Sequence, residues 1–242
     1  MSGAGFVMRM FSLSMNRLAR DKHSVLAELL ELLMPLVLFY GLYRVNFFDE
    51  GGVLKLTLLL LMAIGIGTGA RMGLALVNYR GQGFLQDVYS SPLPAGTKLA
   101  GLMAEPVILG LSRTVIALLL IILLGFTVTP IQALAIGLIE MAAMLFTGLI
   151  TIPLASRISN VNLLTVAMWL LSFLQFGISG LIILAKDLPL IFLNPYSYAA
   201  DVLLHVSGME FNYPLAIDIA VTIGALAVAY VLARHSIEKL EI

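Results

Sequence analysis

The chain contains no cysteine in 242 residues, which excludes disulfides and thiolate-held metal centres without fixing a compartment. Charge is scarce too: Asp, Glu, Lys and Arg together make up 12%, against about 25% in ordinary soluble domains. The three histidines, His23, His205 and His235, are far apart, and none falls within a long apolar run. No HExxH zinc motif, no GxSxG nucleophile elbow and no paired intramembrane aspartates of the protease kind can be read from the chain. The phosphate-cradling GxxxxGK followed by Ser or Thr is also missing, so the chain cannot hydrolyse ATP by that route. No catalytic residue, metal ligand set or cofactor is expected in this chain, no nucleic-acid partner either, and an enzyme is not the expected reading.

Apolar sequence is what the chain has in quantity. Hydrophobic residues make up 60% and the mean hydropathy is +1.02, which is the composition of an integral membrane protein. A membrane-crossing helix needs about 20 apolar residues for a hydrocarbon core of roughly 30 Å. Six segments meet that requirement: Val25–Tyr43, Val53–Val77, Pro106–Val128, Ile131–Leu154, Leu163–Leu184 and Tyr213–Ala233. A seventh apolar piece, 188–204, is broken by Asn194-Pro195 and reads as a re-entrant or interfacial helical element before the last span. The run after the basic start is too long for a cleavable leader, and no small-residue cleavage site follows it. The fold class expected is therefore all-α, with residues 1–24 as an amphipathic interfacial helix and 25–242 as one six-span domain.

Lys and Arg placement orients the spans. Eleven of the 14 basic residues fall on one side, among them Arg9, Arg17, Arg20, Lys22, Arg80, Lys98, Arg157, Arg234 and Lys239; Arg44, Lys55 and Lys186 fall on the other. That bias places both termini and the loop 79–105 in the cytoplasm of a multi-pass plasma-membrane protein. The loop is the longest polar interruption of the chain. Within it Phe84, Leu85, Val88 and Tyr89 recur at helical spacing between Gly83 and the stop Ser91-Pro92-Leu93-Pro94. Such a helix rests on lipid or docks on a partner.

Charges inside spans are expensive, about 2.5–3.5 kcal/mol each at the centre on insertion scales. Glu140 lies about nine residues into the fourth span, roughly 14 Å deep at 1.5 Å per residue. It fits a point on a translocation path, or a hydrogen-bonded strut between two helices. Arg71 and Arg113 lie near the cytoplasmic ends of adjacent spans, where they can snorkel to headgroups or pair on an anionic group. Glu28 and Glu31 read as interfacial partners of the basic N-terminal segment. Gly65, Gly69 and Gly73 recur every four residues and make a smooth helix-packing stripe. In Ser2–Lys22, Arg9, Ser12, Asn16 and Arg20 form a polar stripe opposite Phe6, Val7, Met10, Phe11 and Leu18, as in helices that lie in the membrane interface.

Taken in order, these parts resemble the membrane subunits of type-2 ATP-binding-cassette (ABC) exporters. Three stretches carry the resemblance across nearly the whole chain. The first is the interfacial helix leading through Arg17–Lys22 to a first span with Pro35. The second is the loop, where the family tends to show Gly-Thr-Leu-Glu-Gln and then Ser or Thr before Pro; here Arg80, Gly83, Leu85, Ser91 and Pro92 occupy those places. The third is Ser179-Gly180 followed by Asn194-Pro195-Tyr196-Ser197-Tyr198 and Asp201, where the family has Asn-Pro-Leu-Thr-Tyr and an acid. The departures are Gln86 in place of the usual Glu, with the acid displaced to Asp87, and Gly81 where an acid is common.

The resemblance implies a permease that exports a hydrophobic or amphipathic substrate, such as a drug, lipid or glycan. It implies that Gly83, Phe84, Leu85, Gln86, Asp87, Val88 and Tyr89 form a cytoplasmic coupling helix docked on a separate ABC ATPase, which holds the ATP and Mg. It further implies a homodimer or a paralogous permease partner, and an external gate built with Asn194, Pro195, Tyr198 and Asp201. Glu140, Arg71 and Arg113 are the candidates for the translocation path. A haem-export-like permease and a non-transporting, ATPase-linked membrane scaffold are the alternatives.

Overall fold

The computed structural model describes residues 3–20, 37, 41, 62–73, 76–77, 92–123, 127–158, 160–184, 193–208 and 212–240. Among these the chain is helical, and no strand occurs. The elements in chain order are α1 (Gly3–Arg20), α2 (residues 62–73 and 76–77), α3 (Ala95–Leu102), α4 (Ala104–Leu123), α5 (Pro130–Arg157), α6 (Val161–Leu184), α7 (Pro195–Val206) and α8 (Leu215–Leu240). Three helices are long and apolar enough to cross a membrane: Ala104–Leu123, Pro130–Arg157 and Leu215–Lys239; a shorter apolar stretch, Asn162–Leu174, lies in α6. The predicted first span, apart from Val37 and Gly41, and the segment 83–91 lie outside the described residues, as do Glu28, Glu31 and the start of the element 188–204.

Helix boundaries follow local chemistry. Thr129 caps α5: its hydroxyl accepts from Gln132 N (3.3 Å), while Gln132 Oε1 accepts from Thr129 N (2.9 Å). This reciprocal box with Pro130 at the first helical position satisfies backbone donors that a helix start leaves open. The third span, predicted to run to Val128, is helical to Leu123 in the described residues; residues 127–129 are not helical, and Thr129 has the extended backbone of a cap. The last span continues past Ala233 to Leu240. A larger correction concerns the loop 79–105, whose end is helical: after Pro94, α3 buries Leu99 and Leu102 and encloses Lys98 as well. Lys98, counted among the basic residues of the cytoplasmic side, is buried in the structure.

The helix α5 is the hub. It packs along α8, α4 and α7, and α8 also meets α7 and α3. One apolar cluster joins Met62, Ile66, Ile136, Ile139, Tyr196 and Leu203. A second joins Met72, Leu99, Met103, Leu149, Ile152, Ala229 and Ile237. A third is small and local: Phe6 and Met10 of α1 pack with Ala104. Large apolar side chains elsewhere point outward, including Leu163, Trp169 and Phe173 on α6 and Ile223, Val231 and Leu232 on α8. Water-soluble monomers rarely expose continuous apolar faces of that kind; in lipid such faces are at home.

Close approach between α2 and α5 depends on the absence of side chains. A Cβ added at Gly65 would lie 2.9 Å from the Glu140 carbonyl oxygen, and one at Gly73 would lie 2.9 Å from Thr151 Cβ. At Gly69 it would collide with the Met144 carbonyl oxygen, Thr147 Cβ and Gly148 N. The stripe thus faces α5 within one chain, backbone against backbone.

Candidate functional site

Polar groups in this apolar body gather in two places. The first is between α2, α4 and α5. Glu140, 2% exposed, lies where the Gly65 surface meets α5. Thr114 on α4 donates to Glu140 Oε2 at 2.7 Å and also lies 2.9 Å from the Gly110 carbonyl oxygen. One hydroxyl has one proton to give, so these two acceptors compete for it. The second carboxylate oxygen, Oε1, is buried with no hydrogen-bond partner. Beside Thr114 in sequence, Arg113 is 5% exposed and donates through Nη1 to Thr68 Oγ1 at 2.6 Å; Thr68 in turn donates to the Ile64 carbonyl at 2.8 Å.

The structure therefore brings three sequence-chosen residues together. Arg113 lies within electrostatic reach of both Glu140 and Arg71. Arg71 is exposed at the rim and Arg113 enclosed, so Arg113 does not snorkel as a long cation near a span end could. The threonine partners Thr68 and Thr114 were not singled out from sequence. They are distant in the chain, 45 residues from Arg113 and 26 from Glu140 respectively, and a lone Thr in an apolar run gives no signal.

The second place is the head of α8. Asn194 Oδ1 accepts from Tyr196 N at 3.2 Å and caps α7, with Pro195 in its first turn. Tyr196 turns inward: its hydroxyl bonds Thr147 of α5, and its ring meets Phe146 edge-on at 5.0 Å. Burial pushes the Tyr196 phenol well above its ordinary range, and the Thr147 bond only partly offsets this. Tyr198 stacks on Tyr213 with ring centroids 5.7 Å apart. Asp201, fully covered, accepts from Asn212 N (2.8 Å to Oδ2), Asn212 Nδ2 (3.1 Å) and Tyr213 N (2.9 Å). These bonds clamp the turn that leads into α8. Gln132 of α5 adds a tie by donating to the Val206 carbonyl at 3.2 Å.

Sequence reading missed Asp218 and Thr222. Asp218 lies in the first turn of α8, is 0% exposed, and has both carboxylate oxygens buried without a partner; Thr222 Oγ1, one turn later, is likewise buried and unpartnered. The available signal was an acid five residues inside the predicted span Tyr213–Ala233. The sequence showed no paired aspartates because Asp201 and Asp218 are separated by a turn, yet folding brings Asp218 into the field of Asp201. A helix start favours a nearby anion by about 0.3–1 kcal/mol, whereas an uncompensated buried ion costs several kcal/mol.

Among the described residues no group of His, Asp or Glu is arranged to hold a metal ion. The docking candidates Gly83, Phe84, Leu85, Gln86, Asp87, Val88 and Tyr89 lie outside the described residues. What the two places offer is therefore charge and hydrogen bonding inside an apolar body, with no nucleophile–base pair in view among the residues described. No protein-family model matches this chain, and no curated protein matches it.

Proposed function

We propose that the chain is the membrane-spanning permease subunit of an ABC exporter, driven by a separate ATPase that docks on residues 83–91. The observation that carries this reading is the buried set Thr68, Arg113, Thr114 and Glu140 between α2, α4 and α5. An intramembrane acid and base are costly to keep, and membrane proteins retain them chiefly along substrate or ion pathways. The order of sequence features adds the rest: an interfacial helix, a cytoplasmic loop with an apolar helical repeat, and an Asn-Pro-containing element before the last span.

Two contacts suit this mechanism. The interfacial helix α1 rests on α3 and α4, so it braces the chain just beyond the docking segment. The clamp of Asp201 on 212–213 ties the short helix α7 to the head of α8, so a gate formed there moves with the last span. Closure of the ATPases would shift these elements as packed bodies. Six spans form half of a pore, which calls for a homodimer or a paralogous partner. The substrate class is hydrophobic or amphipathic.

The test is co-purification with the partner ABC ATPase that this reading requires. Leu85→Asp or Val88→Asp is expected to abolish co-purification while membrane insertion persists. Unchanged co-purification in both variants removes the docking claim.

A further inference from the structure

Close approaches in this helical body are of two kinds. Between α2 and α5, glycine meets backbone. An added Cβ at Gly65 would lie 2.9 Å from the Glu140 carbonyl oxygen, and one at Gly69 would strike the Met144 carbonyl oxygen and Gly148 N. Between α4 and α5, glycine meets side-chain tips. A Cβ at Gly110 of α4 would strike the Met144 thioether, and one at Gly137 of α5 would lie 3.4 Å from Thr114 Cγ2. At Gly148 of α5 it would lie 3.3 Å from Cε of Met103, the residue that joins α3 to α4. Backbone cannot swing aside, whereas a methionine turns about three bonds and refills the space it leaves. Met144 serves both contacts, its carbonyl on the α2 side and its thioether on the α4 side. The α2–α5 pair is therefore stiff, and α4 has a surface along which it can slide.

The base of α4 has the joint that such a movement needs. α3 ends at Leu102 and α4 begins at Ala104. The Met103 N–H still reaches the Leu99 carbonyl and the Val107 N–H the Met103 carbonyl, each at 3.0 Å. Pro106 has no N–H for the Leu102 carbonyl four residues back, and its ring crowds that carbonyl; helix bends concentrate at such prolines. On the far side of the joint α3 is held. Phe6 of α1 covers Gly101, and a Cβ at Gly96 would lie 2.9 Å from the Tyr230 hydroxyl of α8.

Two hydrogen bonds cross from α4 to the stiff pair, from adjacent residues. Arg113 Nη1 donates to Thr68 Oγ1 of α2 at 2.6 Å, and Thr114 Oγ1 donates to Glu140 Oε2 of α5 at 2.7 Å. Arg113 lies seven residues beyond Pro106, about 10 Å along the axis at 1.5 Å per residue. We propose that α4 is a moving helix hinged at Pro106, and that these two bonds are the latch holding it against the α2–α5 pair. Thr114 has a second acceptor for its proton when the latch opens: the Gly110 carbonyl of its own helix, at 2.9 Å. Opening uncovers Glu140 and Arg113, which are 2% and 5% exposed while latched. Hinge and latch stand on packing within one chain, so their failure leaves ATPase docking standing, and loss of docking leaves them standing.

The chain has no cysteine of its own, so pairs of nitroxide labels in full-length protein in lipid nanodiscs can measure both contacts by electron–electron double resonance. Val115→Cys with Leu138→Cys spans α4 and α5; Gly67→Cys with Leu138→Cys spans α2 and α5. Val115 and Leu138 are exposed, and nothing lies within 4 Å of a Cβ at Gly67. Each single-cysteine chain supplies the distances between copies. With Thr68→Val and Thr114→Val together, the α4–α5 distance is expected to broaden and gain a longer population, while the α2–α5 distance keeps its width. An unchanged α4–α5 distance in the folded double variant overturns the latch, and equal broadening of both distances overturns the stiff pair. Hydrogen exchange reads the hinge in the wild type, where no variant has to fold. Amides of 101–107 are expected to exchange roughly tenfold faster than those of 143–151, the order set by one missing hydrogen bond, and Pro106→Ala is expected to slow them. Equal protection of the two wild-type segments overturns the hinge.

Discussion

Glycine and threonine decide more at the residue scale than their size suggests. Gly69 is the tightest point of the α2–α5 contact, where an added methyl would meet backbone atoms of Met144 and Gly148. Backbone cannot swing aside as a side-chain tip can. Gly69→Val is therefore expected to destabilise by at least the ~1–3 kcal/mol of ordinary overpacking, read as a lower unfolding temperature in detergent. Gly67, which has nothing within 4 Å of an added Cβ, should accept Ala with little change. Asp201→Asn presents an amide N–H to a site built of N–H donors, and should cost about 1–3 kcal/mol by the same assay. The spacing of Gly65, Gly69 and Gly73 was legible in the sequence; their partner was not, because helix spacing names a face and not what covers it. Glu140 could be picked out by depth alone. Thr114 and Thr68 could not, since their importance comes from which helices meet.

Among the elements, α1 shows how an amphipathic helix is held. Phe6 lies over Gly101, where an added Cβ would strike the ring, and Gly3 lies against Thr97. A Cβ at Gly3 would be 3.8 Å from Thr97 Cβ, which matches the roughly 3.5–4.5 Å that a disulfide requires. Because the natural chain has no cysteine, Gly3→Cys with Thr97→Cys gives a clean probe. The pair is expected to cross-link on mild oxidation, detected as a joined peptide after proteolysis. Failure to cross-link would separate α1 from α3. The amphipathic pattern of Ser2–Lys22 made this helix readable from sequence. Its resting place was not, because the sequence reading placed no helix after the stop Ser91-Pro92-Leu93-Pro94, and the helical content of Ala95–Leu102 was hidden by two glycines, Gly96 and Gly101. At the other end, Asn194-Pro195 was legible as a helix start, and the structure supplies the capping bond.

For the whole molecule, hydropathy was the strongest signal, and three helices of the described chain have the length and apolar character to cross a membrane. Exposed apolar faces like those of α6 and α8 are rare on water-soluble monomers. The buried acid and base between α2, α4 and α5 are what such a body keeps at a cost, and the proposed transport role would give that cost a purpose. The most direct measurement is flux of an amphipathic fluorescent probe into proteoliposomes containing the chain and the proposed partner ATPase, with wild type, Glu140→Gln and Leu85→Asp compared at equal incorporation. ATP-dependent flux in the wild type, reduced several-fold by Glu140→Gln and abolished by Leu85→Asp, is the predicted result. A chain that binds the ATPase yet gives no ATP-dependent flux with any amphipathic probe, or flux indifferent to both substitutions, would contradict it.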